Sequence, residues 1–193
     1  MPTDPILLYI DLKSPYSYIA AHRALALEAE DRATFDIRPY ALDIGSRANA
    51  NPAAFLRRAR YLYRDARRFA APLGLTLKGP QRIYDSSVAN IGLLFAAEAG
   101  VRNDYIAAVY ARFFNRDLEL DDPGAITALL SDCGADADAF DAYRSGAGKA
   151  AYESEIKAAE EKGVFAVPTF VVGEELYWGQ DRMDMAMAAA GIG

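Results

Sequence analysis

The stretch Ile6-Leu7-Leu8-Tyr9-Ile10-Asp11-Leu12, followed by Lys13-Ser14-Pro15-Tyr16-Ser17, decides how the chain is read. An apolar run rich in Ile and Leu, broken by Ser-Pro and followed by an Ala-rich segment, spells strand, turn, helix. Ser14 is the natural N-cap, and Pro15 suits the first helical position because its missing N–H would have had no intrahelical partner. The helix is expected over residues 15–30, with Tyr16, Ile19, Ala20, Ala24 and Leu27 as its apolar stripe. Its N-terminus directs unpaired N–H groups and partial positive charge at whatever lies in front of it, which favours an anion.

Thioredoxin-like redox proteins carry Cys-x-x-Cys at this junction, where the helix terminus lowers a thiol pKa. Here the pair is Ser14 and Ser17, so disulfide exchange is excluded. A hydroxyl in that place can still donate a hydrogen bond to a thiolate brought in by a ligand, glutathione being the obvious candidate. The same Ser14, taken alone, is also an ordinary helix cap.

Outward from this unit, residues 34–42 alternate at first and read as a second strand, parallel to the first because a helix connects them. Residues 43–51 contain Gly, Ser and Asn and read as a loop. From Pro52 the pattern is helical for about a hundred residues, broken near 72–82, Gly100, 121–124, Gly134 and 146–148. The first of these helices is basic, with Arg57, Arg58, Arg60, Arg64, Arg67 and Arg68, and Phe55, Leu62, Ala66 and Phe69 are expected to form its buried face. Most of those arginines read as a solvated face, although one or two could hold a carboxylate through a bidentate fork.

Residues 88–99 read as a buried helix capped from Asp85-Ser86-Ser87, and Asn90 near its start must find partners or face a cavity. Asn90 is therefore a candidate substrate contact, with a structural hydrogen bond as the other reading. Further helices are expected at 105–116, 124–132, 137–144 and 149–162. The pattern then returns to strands: Gly163-Val164-Phe165-Ala166-Val167-Pro168 leads into a hairpin turning at Gly173-Glu174-Glu175, and residues 180–190 close as a helix. This order is an α/β thioredoxin scaffold with a large all-helical insertion: a discontinuous domain of residues 1–43 and 163–193, and an inserted domain of 44–162. Val167-Pro168 stands where that scaffold places a cis-proline. Such a bond would leave the Val167 backbone N–H and C=O free to pair with a peptide-like ligand as an added strand.

Composition limits the function classes. The chain has 193 residues, 52% of them hydrophobic and 25% charged, with a formal net charge of −6, so it is globular and lacks the basic surface that nucleic-acid binding needs. No apolar run is long enough to span a bilayer, and Met1-Pro2-Thr3-Asp4-Pro5 lacks the basic start of a signal peptide, so a cytoplasmic protein away from membranes is expected. The single cysteine, Cys133, cannot form an internal disulfide and reads as a small buried hydrophobe at a helix end. The single histidine, His22, lies inside the first helix, beyond reach of a triad or a multi-histidine metal site.

Tyr9-Ile10-Asp11-Leu12-Lys13-Ser14-Pro15-Tyr16-Ser17-Tyr18, Gly163-Val164-Phe165-Ala166-Val167-Pro168-Thr169-Phe170 and Trp178-Gly179-Gln180-Asp181-Arg182-Met183 together resemble the 2-hydroxychromene-2-carboxylate isomerases and their relatives, the kappa-class glutathione transferases. The match is specific in these end motifs and loose in the helical block. It implies a glutathione-dependent enzyme, expected as a homodimer, in which Ser14 hydrogen-bonds the glutathione sulfur. It also implies that Val167, before Pro168, pairs with the cysteinyl backbone, while Gln180 and Asp181 hold the γ-glutamyl end. The family's Asn falls on Asn49 or Asn51, with Asn51 taken as the binding residue, and its Lys position holds Arg58, which keeps the charge and alters the hydrogen-bond geometry. The implied reaction opens the chromene ring of a small aromatic carboxylate and isomerises it to trans-o-hydroxybenzylidenepyruvate, with glutathione regenerated. Conjugation of an electrophile by the same thiolate, or glutathione binding without catalysis, are the competing functions.

Overall fold

Strand β1 (Ile6–Ile10) lies inside a four-stranded sheet, between β2 (Phe35–Pro39), to which it runs parallel, and β3 (Thr169–Val172), to which it runs antiparallel. Strand β4 (Glu175–Trp178) closes the edge as the hairpin partner of β3. The computed structural model describes residues 5–42 and 44–192, with the backbone alone for 45–47. The expectations placed on residues 1–4, Asp43 and Gly193 lie outside these.

Both faces of the sheet are covered, which is why β1 reads as an unbroken apolar run rather than an alternating one. Ile6, Leu8 and Ile10 point to one face with Phe35, Ile37 and Phe170, while Leu7 and Tyr9 point to the other with Val164, Val171 and Ala159. Helix α1 (Pro15–Ala29) packs on the first face through the buried Ile19, Ala20 and Ala24, and Glu30 caps its end.

Between β2 and β3 come α2 (Ile44–Ala50), α3 (Pro52–Ala70), α4 (Ser87–Glu98), α5 (Arg102–Asn115), α6 (Pro123–Asp132), α7 (Phe140–Ser145) and α8 (Ala147–Glu161); α9 (Met183–Ala189) follows the hairpin. The inserted helices share one core with the sheet: Leu8, Ile19, Ala66, Phe114, Leu130 and Met183 belong to a single buried cluster. At its centre Tyr18 stacks on Phe114 with ring centroids 5.2 Å apart. No helix among the described residues is long and apolar enough to cross a membrane.

Three expectations change. The segment read as a loop is helical over Ile44–Ala50: Ala48 is buried and α2 packs on α3, and tertiary packing overrides the weak helix propensity of Gly, Ser and Asn. The last helix opens as a 3-10 turn, Gln180–Arg182, before α9. On α3 only Ala66 and Ala70 are buried, while Phe55 and Leu62 are half-buried and Phe69 is exposed. That apolar stripe faces an open cleft instead of the core.

Candidate active site

The cleft begins at the turn after β1. Ser14 caps α1 as its hydroxyl oxygen accepts from the Ser17 N–H at 3.2 Å, while the Ser14 N–H donates to the Asp11 carbonyl at 2.9 Å. The Ser14 hydroxyl proton has no acceptor among the described residues. A hydroxyl donates and accepts at once, so this one can hold the helix cap and offer its proton to an anion in the cleft. Ser14 is only 5% exposed, which keeps that donor nearly dry.

Facing the same space, the Val167-Pro168 bond is cis. The Thr169 hydroxyl, donating to the Ala166 carbonyl at 2.8 Å, braces this turn from behind. Among the described residues neither the Val167 N–H nor its C=O has a partner. Backbone groups left open in a buried segment are the expected donors and acceptors for an extended peptide.

Gly179 connects the hairpin to the last helical turn. Its N–H donates to the Pro168 carbonyl at 2.9 Å, and its φ of 121° is one that side chains rarely adopt. A Cβ there would sit 2.6 Å from Asp181 Oδ1. Glycine at this position therefore leaves room for the Asp181 carboxylate as it stands. Gln180 is 6% exposed, and its side-chain amide has no hydrogen-bond partner among the described residues. Asp181 is exposed and pairs with Arg182 at 3.2 Å.

Helix α3 forms another wall. Asn51 caps it by accepting from the Ala54 N–H at 3.0 Å. Seven and fourteen residues on, Arg58 and Asp65 lie on the same face, two and four helical turns along. Arg58 has no ion-pair partner among the described residues. Asp65 accepts from the Tyr16 hydroxyl at 2.7 Å and pairs with Arg68 at 2.9 Å; the tyrosine hydrogen bond, then Arg68, hold its carboxyl below the usual range. The cleft has a volume of about 860 Å³ and is lined mainly by apolar groups, Phe55, Leu62, Phe69 and Trp178 among them. That size and balance suit a ligand with charged ends and an apolar body.

Ser14, Asn51, Arg58, Val167, Pro168, Gln180 and Asp181 all line this one space, and Asn49 does not. Asn90 is a correction: it is fully buried away from the cleft, accepting from the Leu12 N–H and donating to the Tyr152 hydroxyl at 3.1 Å, so it has no surface to offer a substrate. Lys13, Tyr16, Tyr63 and Asp65 line the cleft and were not legible as site residues; only the adjacency of Lys13 and Tyr16 to the Ser14 turn could have pointed to them. The remaining arginines of α3 are exposed, Arg67 holding the Leu77 carbonyl at 2.8 Å. His22 and Cys133 are half-buried and outside the cleft, and burial pushes the Cys133 thiol up.

The model of the DSBA-like thioredoxin domain matches residues 5–190. A 2-hydroxychromene-2-carboxylate isomerase of Pseudomonas sp. (strain C18) is 32% identical, over 95% of this chain and 88% of its own. The chain belongs to the DSBA-like thioredoxin domain family, in its 2-hydroxychromene-2-carboxylate isomerase branch. The solved structure of an isomerase from this branch is 31% identical and superposes with a TM-score of 0.77, covering 96% of this chain and 94% of the other. A cytosolic disulfide reductase from Pseudomonas aeruginosa, solved with GSH, shares the DSBA-like fold at 17% identity and a TM-score of 0.59, covering 97% and 96%. Against the redox chemistry of such a reductase, this DSBA-like domain has serines at both ends of its turn, Ser14 and Ser17.

Proposed function

We propose that the protein is a glutathione-dependent isomerase that converts 2-hydroxychromene-2-carboxylate, or a similar product of aromatic-ring cleavage, to trans-o-hydroxybenzylidenepyruvate. The observation that carries this reading is the Ser14 hydroxyl, free to donate, at the N-terminus of α1 and in one cleft with the open backbone of Val167. The names of the isomerase relatives supply the substrate class.

The residues present fit glutathione. The Val167 N–H and C=O would pair with its cysteinyl backbone, and Gln180 and Asp181 would hold its γ-glutamyl end, Asp181 suiting the ammonium. Asn51 and Arg58 stand on α3 for the remaining polar groups, and Arg58 is free to take a carboxylate. Glutathione supplies a thiol that adds reversibly to the substrate and is recovered unchanged. An ordinary thiol, with a pKa of about 8.5, is only a few per cent ionised at neutral pH, and each unit of lowering takes about 1.4 kcal/mol. One charge-assisted hydrogen bond from Ser14 with the α1 terminus behind it is enough for about one to two units. The apolar side chains of α3 exclude water and accept the aromatic ring.

We further infer a cytoplasmic homodimer, with the exposed Leu56, Tyr61 and Met185 as apolar surface for a second copy; light scattering on the purified protein tests it. The test of function is an absorbance assay with 2-hydroxychromene-2-carboxylate, with and without glutathione. Glutathione-dependent approach to the chromene/benzylidenepyruvate equilibrium is the expected result. Glutathione binding without this turnover moves the assignment to conjugation of an electrophile or to glutathione binding without catalysis.

A further inference from the structure

Lys13 is a cation set deep in the wall of the cleft: its side chain is 10% exposed, against 48% for Arg182, and Arg58 is exposed. Behind it lies Asp11, whose carboxylate is completely buried. That carboxylate is already well supplied with donors. It accepts from the Ser86 hydroxyl at 2.6 Å, from the Leu42 N–H at 2.9 Å and from the Lys13 N–H at 3.3 Å. The Lys13 ammonium stands farther off, at 3.4 Å from Oδ2. Asp11 thus compensates the charge of Lys13 without needing its hydrogen bonds, and an ammonium has three to give.

We propose that Lys13 binds the carboxylate of the aromatic substrate. The proposal rests on the isomerase reading and names the residue that selects its acidic substrates. Arg182 is half exposed, so solvent screens it, and Arg58 stands on α3, which Asn51 caps, among the residues assigned to glutathione. Lys13 directly precedes Ser14, so the cation and the hydroxyl that faces the sulfur come from one turn, with Cα atoms about 3.8 Å apart. A substrate whose carboxylate lies a few bonds from the carbon that the thiol attacks fits both at once. In a wall this sheltered an ammonium–carboxylate contact is little screened by solvent.

The experiment is calorimetry with 2H-chromene-2-carboxylate, which lacks the hydroxyl needed for ring opening, and with its uncharged amide, each titrated into protein saturated with glutathione. Wild type is expected to prefer the carboxylate by about 10- to 100-fold, the usual worth of a charge-assisted hydrogen bond. Lys13→Met loses that preference and leaves the amide's affinity and the glutathione Kd unchanged. Lys13→Arg, which keeps a counter-charge beside Asp11, retains it. In turnover, Lys13→Met raises KM for 2-hydroxychromene-2-carboxylate by the same factor, with kcat moved far less. Equal binding of carboxylate and amide to wild type overturns the proposal, whatever the stability of the variants. A preference undiminished in Lys13→Met overturns it as well, while the isomerase reading stands. A wild-type protein that neither binds glutathione nor turns over overturns both.

Discussion

The Tyr16 hydroxyl donates a 2.7 Å hydrogen bond to Asp65, tying the first turn of α1 to the C-terminal half of α3 across the side of the cleft. Burial, then the hydrogen bond to Asp65, pushes the Tyr16 phenol above its ordinary 10.0, and the same bond pulls Asp65 below its ordinary 3.8. The signs set a window. A depressed carboxyl contributes stability above its unfolded pKa and loses it as pH falls through the folded value; a raised phenol contributes below 10.0 and loses it as pH rises beyond. Tyr16→Phe is therefore expected to unfold at lower denaturant than wild type at pH 7. The gap between them narrows toward pH 3, which urea titrations at the two pH values measure.

Ser14→Ala removes both the donor to the cleft and the helix cap. Turnover is expected to fall by about one to three orders of magnitude, the range seen when an oriented donor to an anion is lost. The cap contributes about 1 kcal/mol of stability, too little to unfold the protein. Kinetics and thermal melting on one preparation separate the two effects, and an unchanged rate would remove Ser14 from the mechanism.

Gly179→Ala forces a Cβ into Asp181 Oδ1 and strains a φ of 121°. The cost is about 1–3 kcal/mol, and Asp181 must shift. Calorimetric titration is expected to show glutathione affinity reduced more than tenfold, in contrast to Gly173→Ala, which also strains a positive φ, of 60°, but lies outside the cleft and puts its Cβ within 4 Å of nothing.

Asn90→Ala is expected to act on stability alone. It leaves the Leu12 N–H and the Tyr152 hydroxyl without their partner in a fully buried site, at a cost of about 1–3 kcal/mol. Thermal melting registers the loss, while KM for the aromatic substrate stays at the wild-type value. A raised KM in a variant of native stability would return Asn90 to the cleft.

The end motifs were legible because each rests on a local rule. Ser14 caps and Pro15 begins α1, the apolar run of β1 is a strand buried on both faces, and the turn at Gly173 joins β3 to β4. Residues 44–50 were not legible in the same way. Their Gly, Ser and Asn favour a loop, and a helix forms there through packing on α3. The apolar stripe of α3 reads as core because periodicity reports that a face is apolar without reporting what it faces.

From the sequence alone came the order of elements apart from α2, the serines at both ends of the turn and the cap at Ser14, which depend on residue type and near neighbours, and the cis-proline turn, which followed from the place of Val167-Pro168 in that order. Only the tertiary structure decided that Asn51 rather than Asn49 lines the cleft, that Asn90 is spent on Leu12 and Tyr152, and that Lys13 lies in the cleft wall against Asp11. Those outcomes depend on which side chains from distant segments meet. Ser86 reaches Asp11 across 75 residues, and Asn90 reaches the Leu12 N–H across 78. Long-range pairing of that kind is a property of packing, which no local pattern encodes.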